Sequence, residues 1–210
     1  MLDLRTEADL KRAVRSLARH FKTDSVIIIG SQSVLVGWPD APTAMRLSEE
    51  IDAYPGNAKE WEATNPGFEA SEEIHALFGI GSAFHDAYGF YIDGVDEDTA
   101  KLPPGWEDRA TIATVEDGPH RIHAIAPCLE DLVVSKLHRL SDKDRDYIEV
   151  CHKARPLDLA VVRERLVASK PHPALLEAAD RYLVDLATPA GAATNAPSAP
   201  AATTPRRFRP

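Results

Sequence analysis

The sequence predicts an α/β (α+β) protein, a mixed sheet flanked by helices and followed by C-terminal helices. Three observations carry this. The apolar run Val26-Ile27-Ile28-Ile29 ends in Gly30-Ser31, which reads as a buried strand turning into a helix start. Further on, Arg46 to Pro55 reads as a strand with Glu50 and Asp52 two residues apart. Strand side chains alternate, so both carboxylates point to one face. Around these strands, several segments repeat apolar residues at three- and four-residue steps, the period of a helix with one buried side.

The elements follow in order. Thr6 to Phe21 is helical, with Leu10, Val14, Leu17, Ala18 and Phe21 on one side and Lys11, Arg12, Arg15 and Arg19 between them. Ser25 to Ile29 is a β-branched strand. Gly30-Ser31 opens a short helix that Gly37, Pro39 and Pro42 terminate. Ser48 to Tyr54 is the second strand, stopped by Pro55-Gly56. A helix covers Ser71 to Phe78, a loop Gly79 to Asp86, and a strand Tyr88 to Val95. Pro103-Pro104-Gly105 is a break. Ala110 to Val115 and His120 to Ile125 form a hairpin around Asp117-Gly118. Helices then run from Pro127 to Leu137, Lys143 to Ala154, Leu157 to Ala168 and Pro173 to Leu186.

The chain has 210 residues, 44% of them hydrophobic, which suits one globular domain. Residues 1–126 make its α/β core and 127–187 a helical part of the same domain. Residues 188–210 are mostly Ala, Pro, Thr and Ser, closing on Arg206-Arg207-Phe208-Arg209-Pro210. Too few bulky apolar residues occur there to offset ordering entropy, so a disordered tail is expected, either solvated or touching RNA or a partner. A net charge of -9 argues against a protein that coats nucleic acid, but leaves room for local basic clusters at Lys11–Arg19, Lys136–Arg145 and Arg206–Arg209. Cys128 and Cys151 have no CxxC spacing, and a reducing cytoplasm is the natural compartment. The N-terminus lacks an apolar signal core, and no run is long enough to cross a membrane.

Four groups of residues carry chemistry. Gly30 allows close backbone approach to a phosphate, and Ser31 adds a donor at a helix start; alone, Gly-Ser after a strand is also a tight turn. Glu50 and Asp52 supply oxygen ligands for a divalent cation, or else lie on a solvated strand face. Lys136, inside an apolar helical stretch, can reach a triphosphate as a point charge. The run Asp142 to Asp146 reads as a helix start with Asp142 as N-cap, or as Lys143 on phosphate with Asp144 orienting Lys136 or Lys143. His85 either lines the pocket and contacts nucleotide or is a hydrogen-bonded loop residue. His120 and His123 fall on opposite strand faces, so no zinc site is expected.

Strand-Gly30-Ser31, then Ser48-x-Glu50-x-Asp52-x-Tyr54-Pro55, then Ser135-Lys136-Leu137, then Lys143-Asp144 resembles the nucleotidyltransferase superfamily with the DNA-polymerase-β-like fold. More closely, it resembles bacterial nucleotidyltransferase-like proteins related to AbiEii-type toxins. Phe84-His85-x-x-Tyr88-Gly89-Phe90-Tyr91-x-x-Gly94-Val95 and Leu102-Pro103-x-Gly105-Trp106 look like that subgroup too. The resemblance spans Ser25 to Ile148. It implies that Gly30 and Ser31 hold the triphosphate of an NTP, that Glu50 and Asp52 bind Mg²⁺ (or Mn²⁺), that Lys136 contacts the phosphates and that Asp144 completes the site. It implies transfer of a nucleotidyl group to an acceptor hydroxyl, on RNA such as tRNA, with an antitoxin protein as partner. Two departures stand out. The family's first acid is usually Asp, where this chain has Glu50. A third carboxylate on a later strand is absent from His120–Ile125, leaving Asp93 and Asp117 as substitutes. Two rival readings keep the fold: a binding module without chemistry, and a transferase acting on a small molecule or a protein.

Overall fold

The computed structural model describes residues 3–188. The expected tail lies outside these residues, apart from Thr188.

The chain opens with α1 (Glu7–Phe21), whose start is set by a capping box between Thr6 and Asp9. Its buried residues Leu10, Ala13, Val14, Leu17, Ala18 and Phe21 follow the helical period. Next come β1 (Ser25–Ile28), a 3₁₀ turn at Ser31–Ser33, α2 (Val34–Gly37), α3 (Thr43–Arg46) and β2 (Glu50–Pro55). Then follow α4 (Ala58–Thr64), α5 (Ala70–Phe78), α6 (Ala83–Tyr88) and β3 (Tyr91–Gly94). After a 3₁₀ turn at Glu107–Arg109 the chain forms β4 (Thr111–Asp117) and β5 (His120–Ala126), and ends in α7 (Leu129–Leu137), α8 (Asp142–Ala154), α9 (Leu159–Ala168) and α10 (Pro173–Ala187).

The five strands form one mixed sheet in the order β3-β2-β1-β5-β4. β1 pairs antiparallel with β2 and parallel with β5, while β3 runs parallel to β2. The β4–β5 hairpin turns at Gly118, with φ +61°, in the turn expected from Asp117-Gly118. The β-branched run of β1 sits mid-sheet, where Val26 and Ile28 are fully buried. α1 packs across β1, β2, β4 and β5, and α5 packs on β3 and β2. Ile51 and Ala53 are buried, so the alternating face of β2 that carries Glu50 and Asp52 is the more accessible one. α7 packs on α8 and α9, and α9 on α10.

Several expectations need correction. Gly79 to Asp86 is not all loop: Ser82 accepts from the His85 N–H and caps α6, and Gly89 ends it at φ +69°. The strand expected over Tyr88–Val95 therefore begins only at Tyr91. α4 has no buried residue, so it lacks the apolar period that would announce it. The short helix after Gly30-Ser31 is a 3₁₀ turn and then the single turn α2. The N-cap of α8 is Ser141, not Asp142.

Candidate functional site

Gly30, at the end of β1, turns the chain with φ +63°. A Cβ there would fall 1.9 Å from Asp52 Oδ2, so glycine is what lets the β1 turn lie against the Asp52 carboxylate. The backbone reinforces this contact: the Ile29 N–H donates to the Asp52 carbonyl at 3.0 Å. The Ser33 hydroxyl donates to the Gly30 carbonyl at 2.8 Å and braces the turn.

Glu50 and Asp52 share one face of β2, as the alternation requires. Asp52 is crowded: burial first, then the carboxylates of Glu50 and Asp93, push its carboxyl up to about 7, against an opposing pull from Lys136. Asp93, on β3, is the register partner of Asp52, and Tyr91 that of Glu50. Register partners in a parallel pair share a face. Burial, with Glu50 behind it, raises the Asp93 carboxyl, and His75 opposes this from 4.0 Å. The Tyr91 phenol donates to Glu50 Oε2 at 2.7 Å.

Lys136 enters from α7. It is buried, and its ammonium donates to the Ser31 hydroxyl at 3.0 Å, joining residues distant in sequence. It lies 3.7 Å from Asp144 Oδ1 and 4.0 Å from the centre of the Tyr147 ring. The Tyr147 hydroxyl in turn donates to the Ser31 carbonyl at 2.8 Å. Burial lowers the Lys136 ammonium to about 8, although Asp144 favours its charged form. Burial works against the Asp144 carboxylate as well. Hydrogen bonds from Arg139 and Ser141, and the charge of Lys136, outweigh it and hold that carboxyl below its ordinary value. Asp144 thus grips Arg139, caps α8 with Ser141 and faces Lys136.

These groups meet at a cleft of about 700 Å³. Gly30, Ser31, Glu50 and Asp52 line it together with Lys101, Lys136, Arg139, Lys143 and Lys170. The acids form an all-oxygen donor set, which suits a hard divalent cation. Among the described residues no three His, Cys, Asp or Glu side chains gather as a ready-made metal cage. Two carboxylates completed by phosphate oxygens is the usual way of holding Mg²⁺, and the crowding around Asp52 favours a cation, so the residues fit.

The structure brings Gly30, Ser31, Glu50, Asp52, Lys136 and Lys143 to this cleft. Asp144 stands behind Lys136. His85 is elsewhere: its Nδ1 accepts from the Gly81 N–H at 3.0 Å, its ring meets the Tyr91 ring edge-on at 5.4 Å, and it does not line the cleft. Asp117 pairs with Arg19 on α1, so Asp93, and not Asp117, is the third acid near the pair. Sequence reasoning missed Tyr91, Tyr147 and Arg139. Tyr91 and Asp93 repeat the i, i+2 spacing of Glu50 and Asp52, a faint signal whose meaning depends on strand register.

Compared with known proteins, residues 8–184 match the model of a family described as nucleotidyltransferase of unknown function (DUF6036). No curated protein and no solved structure matches the chain.

Proposed function

We propose, from the premise that this chain belongs to the nucleotidyltransferase family of unknown function DUF6036, that it transfers a nucleotidyl group from an NTP to an acceptor hydroxyl with Mg²⁺ or Mn²⁺. The observation that carries the reading is the meeting of Asp52, Ser31 and Lys136 across one cleft, with the Lys136 ammonium fixed on the Ser31 hydroxyl. Glu50 and Asp52 would hold the cation, which would supply positive charge to the triphosphate. Gly30 and Ser31 receive phosphate oxygens at the turn. Lys136 and Lys143 add positive charge where the pyrophosphate departs. The acceptor oxygen bonds to the α-phosphorus, the bond to the bridging oxygen of pyrophosphate breaks, and the acceptor proton passes to a carboxylate. We assign that role to Asp93, the register partner of Asp52 on the neighbouring strand.

The finer reading is an RNA acceptor, such as a tRNA end, modified by the toxin of a toxin–antitoxin pair in the cytoplasm. Two things support it: the resemblance to AbiEii-type proteins, and the cations Lys101, Arg139, Lys143 and Lys170 lining the cleft of a chain whose net charge is -9. The test is end-labelling of purified tRNA with each of the four α-labelled NTPs. Labelled tRNA with the native protein, and none with Asp52→Ala, is the expected result. No incorporation from any NTP into any RNA pool overturns the RNA acceptor. Label on a protein or small molecule would then identify the alternative transferase, and NTP-induced stabilisation without transfer the binding module.

A further inference from the structure

We infer that Tyr91 is a positioning residue that holds Glu50 in its metal-ligating pose and thereby adapts the site to a glutamate in place of the shorter acid. The inference rests on the reading of Glu50 and Asp52 as cation ligands. Glutamate has one more rotatable bond than aspartate, so an untethered Glu50 would spread its carboxylate over several positions. In this chain it is tethered. Glu50 and Tyr91 are register partners on parallel strands, which places the two side chains next to each other on one face. The phenol donates to Oε2 at 2.7 Å and leaves Oε1 for a cation. Such a hydrogen bond to a ligating carboxylate orients the ligand.

Tyr91 is itself backed. Its ring meets that of His85 edge-on at 5.4 Å. The His85 Nδ1 accepts from the Gly81 N–H at 3.0 Å, and its backbone N–H donates to the Ser82 hydroxyl that caps α6. A Gly81–His85–Tyr91–Glu50 line of contacts therefore runs from the start of α6 to the cleft. This ties α6 and the turn before it to the site although His85 does not line the cleft. An aspartate at position 50 would withdraw its carboxylate by one methylene and lose a bond as short as this one. Tyr91 and the length of Glu50 are thus matched to each other.

The match is testable with four proteins: native, Tyr91→Phe, Glu50→Asp and the double variant. Binding of Mn²⁺ alone is read as loss of the free-ion electron paramagnetic resonance signal, with Asp52→Ala as control and thermal denaturation checking that each variant folds. In the native background Tyr91→Phe should weaken Mn²⁺ binding about tenfold. In the Glu50→Asp background the same change should alter it less than twofold, because the phenol no longer reaches the carboxylate. Equal losses in both backgrounds would make Tyr91 a general structural residue and overturn the proposal. Unchanged or tighter binding in Tyr91→Phe would overturn it too, the latter showing that the phenol competes with the metal. If the native protein and Asp52→Ala bind Mn²⁺ equally weakly, the cation reading itself falls, a result distinct from failure of Tyr91 alone.

Discussion

Asp52 concentrates the tension of the site. It is half-buried and crowded by the carboxylates of Glu50 and Asp93, and its carboxyl is raised from 3.8 to about 7. A carboxyl raised in the folded state costs stability once ionised. That cost is absent below about pH 4, grows as pH rises towards 7, and is complete above it. Asp52→Asn should therefore melt at the same temperature as the native protein near pH 4, and higher at pH 8, by up to about 4 kcal/mol without metal. Mg²⁺ should stabilise the native protein more at pH 8 than at pH 5, and leave the variant unmoved. Calorimetry across pH, with and without the ion, checks both. Lys136 is the converse case. Its ammonium is lowered to about 8, so its burial costs stability below that pH, and the cost fades as pH rises from 8 towards the unfolded value. Lys136→Met should be within about 1 kcal/mol of native without ligand, since Asp144 keeps Arg139 and Ser141. It should lose the thermal shift produced by an NTP. Both residues are legible in the sequence, since each stands out against its local pattern: an acid pair on an alternating strand, and a lysine in an apolar helix. Tyr91 is not, and Asp93 is legible only as one of two substitutes for a third acid, because only the pairing of β2 with β3 gives them neighbours.

Among elements, local signals decide which are legible. β1, β2, α1 and the β4–β5 hairpin carry their period or turn residues within a short window, and each is close to its expected place. α6 does not, because Gly79-Ile80-Gly81 reads as a break and the cap at Ser82 acts only once the helix has formed. The partner and register of β3 depend on non-local pairing with β2, for which the sequence holds no local code. α8 shows how an element serves the site. Its capping box fixes Asp144, which also grips Arg139 and faces Lys136. Ser141→Ala removes the hydroxyl that accepts from the Asp144 N–H at 3.3 Å and donates to its carboxylate at 2.6 Å. This should cost about 1–2 kcal/mol and lower the melting temperature by roughly 2–8 °C. Nucleotide affinity should fall as well, because Asp144 loses one of the groups that orient it towards Lys136.

At the scale of the whole molecule, the helices after β5 complete the site rather than append to it. Lys136 and Tyr147, on α7 and α8, close on Ser31 in the turn after β1. A second tie is Asp131 on α7, fully buried, which accepts from Arg109 ahead of β4 and from Arg165 on α9. Asp131→Ala takes the carboxylate from two partly exposed guanidinium groups, leaving Arg109 the Pro104 carbonyl and Arg165 the Cys128 sulfur, and should cost about 2–4 kcal/mol. Urea unfolding followed by circular dichroism and tryptophan fluorescence should show one shifted transition, not two, because sheet and helices share these ties. Pyrophosphate release tests the chemistry of the cleft that this assembly closes. The protein would be incubated with Mg²⁺ or Mn²⁺, each α-labelled NTP and a total cellular extract, beside Asp52→Ala. Pyrophosphate should be released and label transferred to an acceptor, and both should be lost in the variant. Release and transfer that persist in Asp52→Ala, or none from any NTP in a protein that no NTP stabilises, would contradict the nucleotidyltransferase reading.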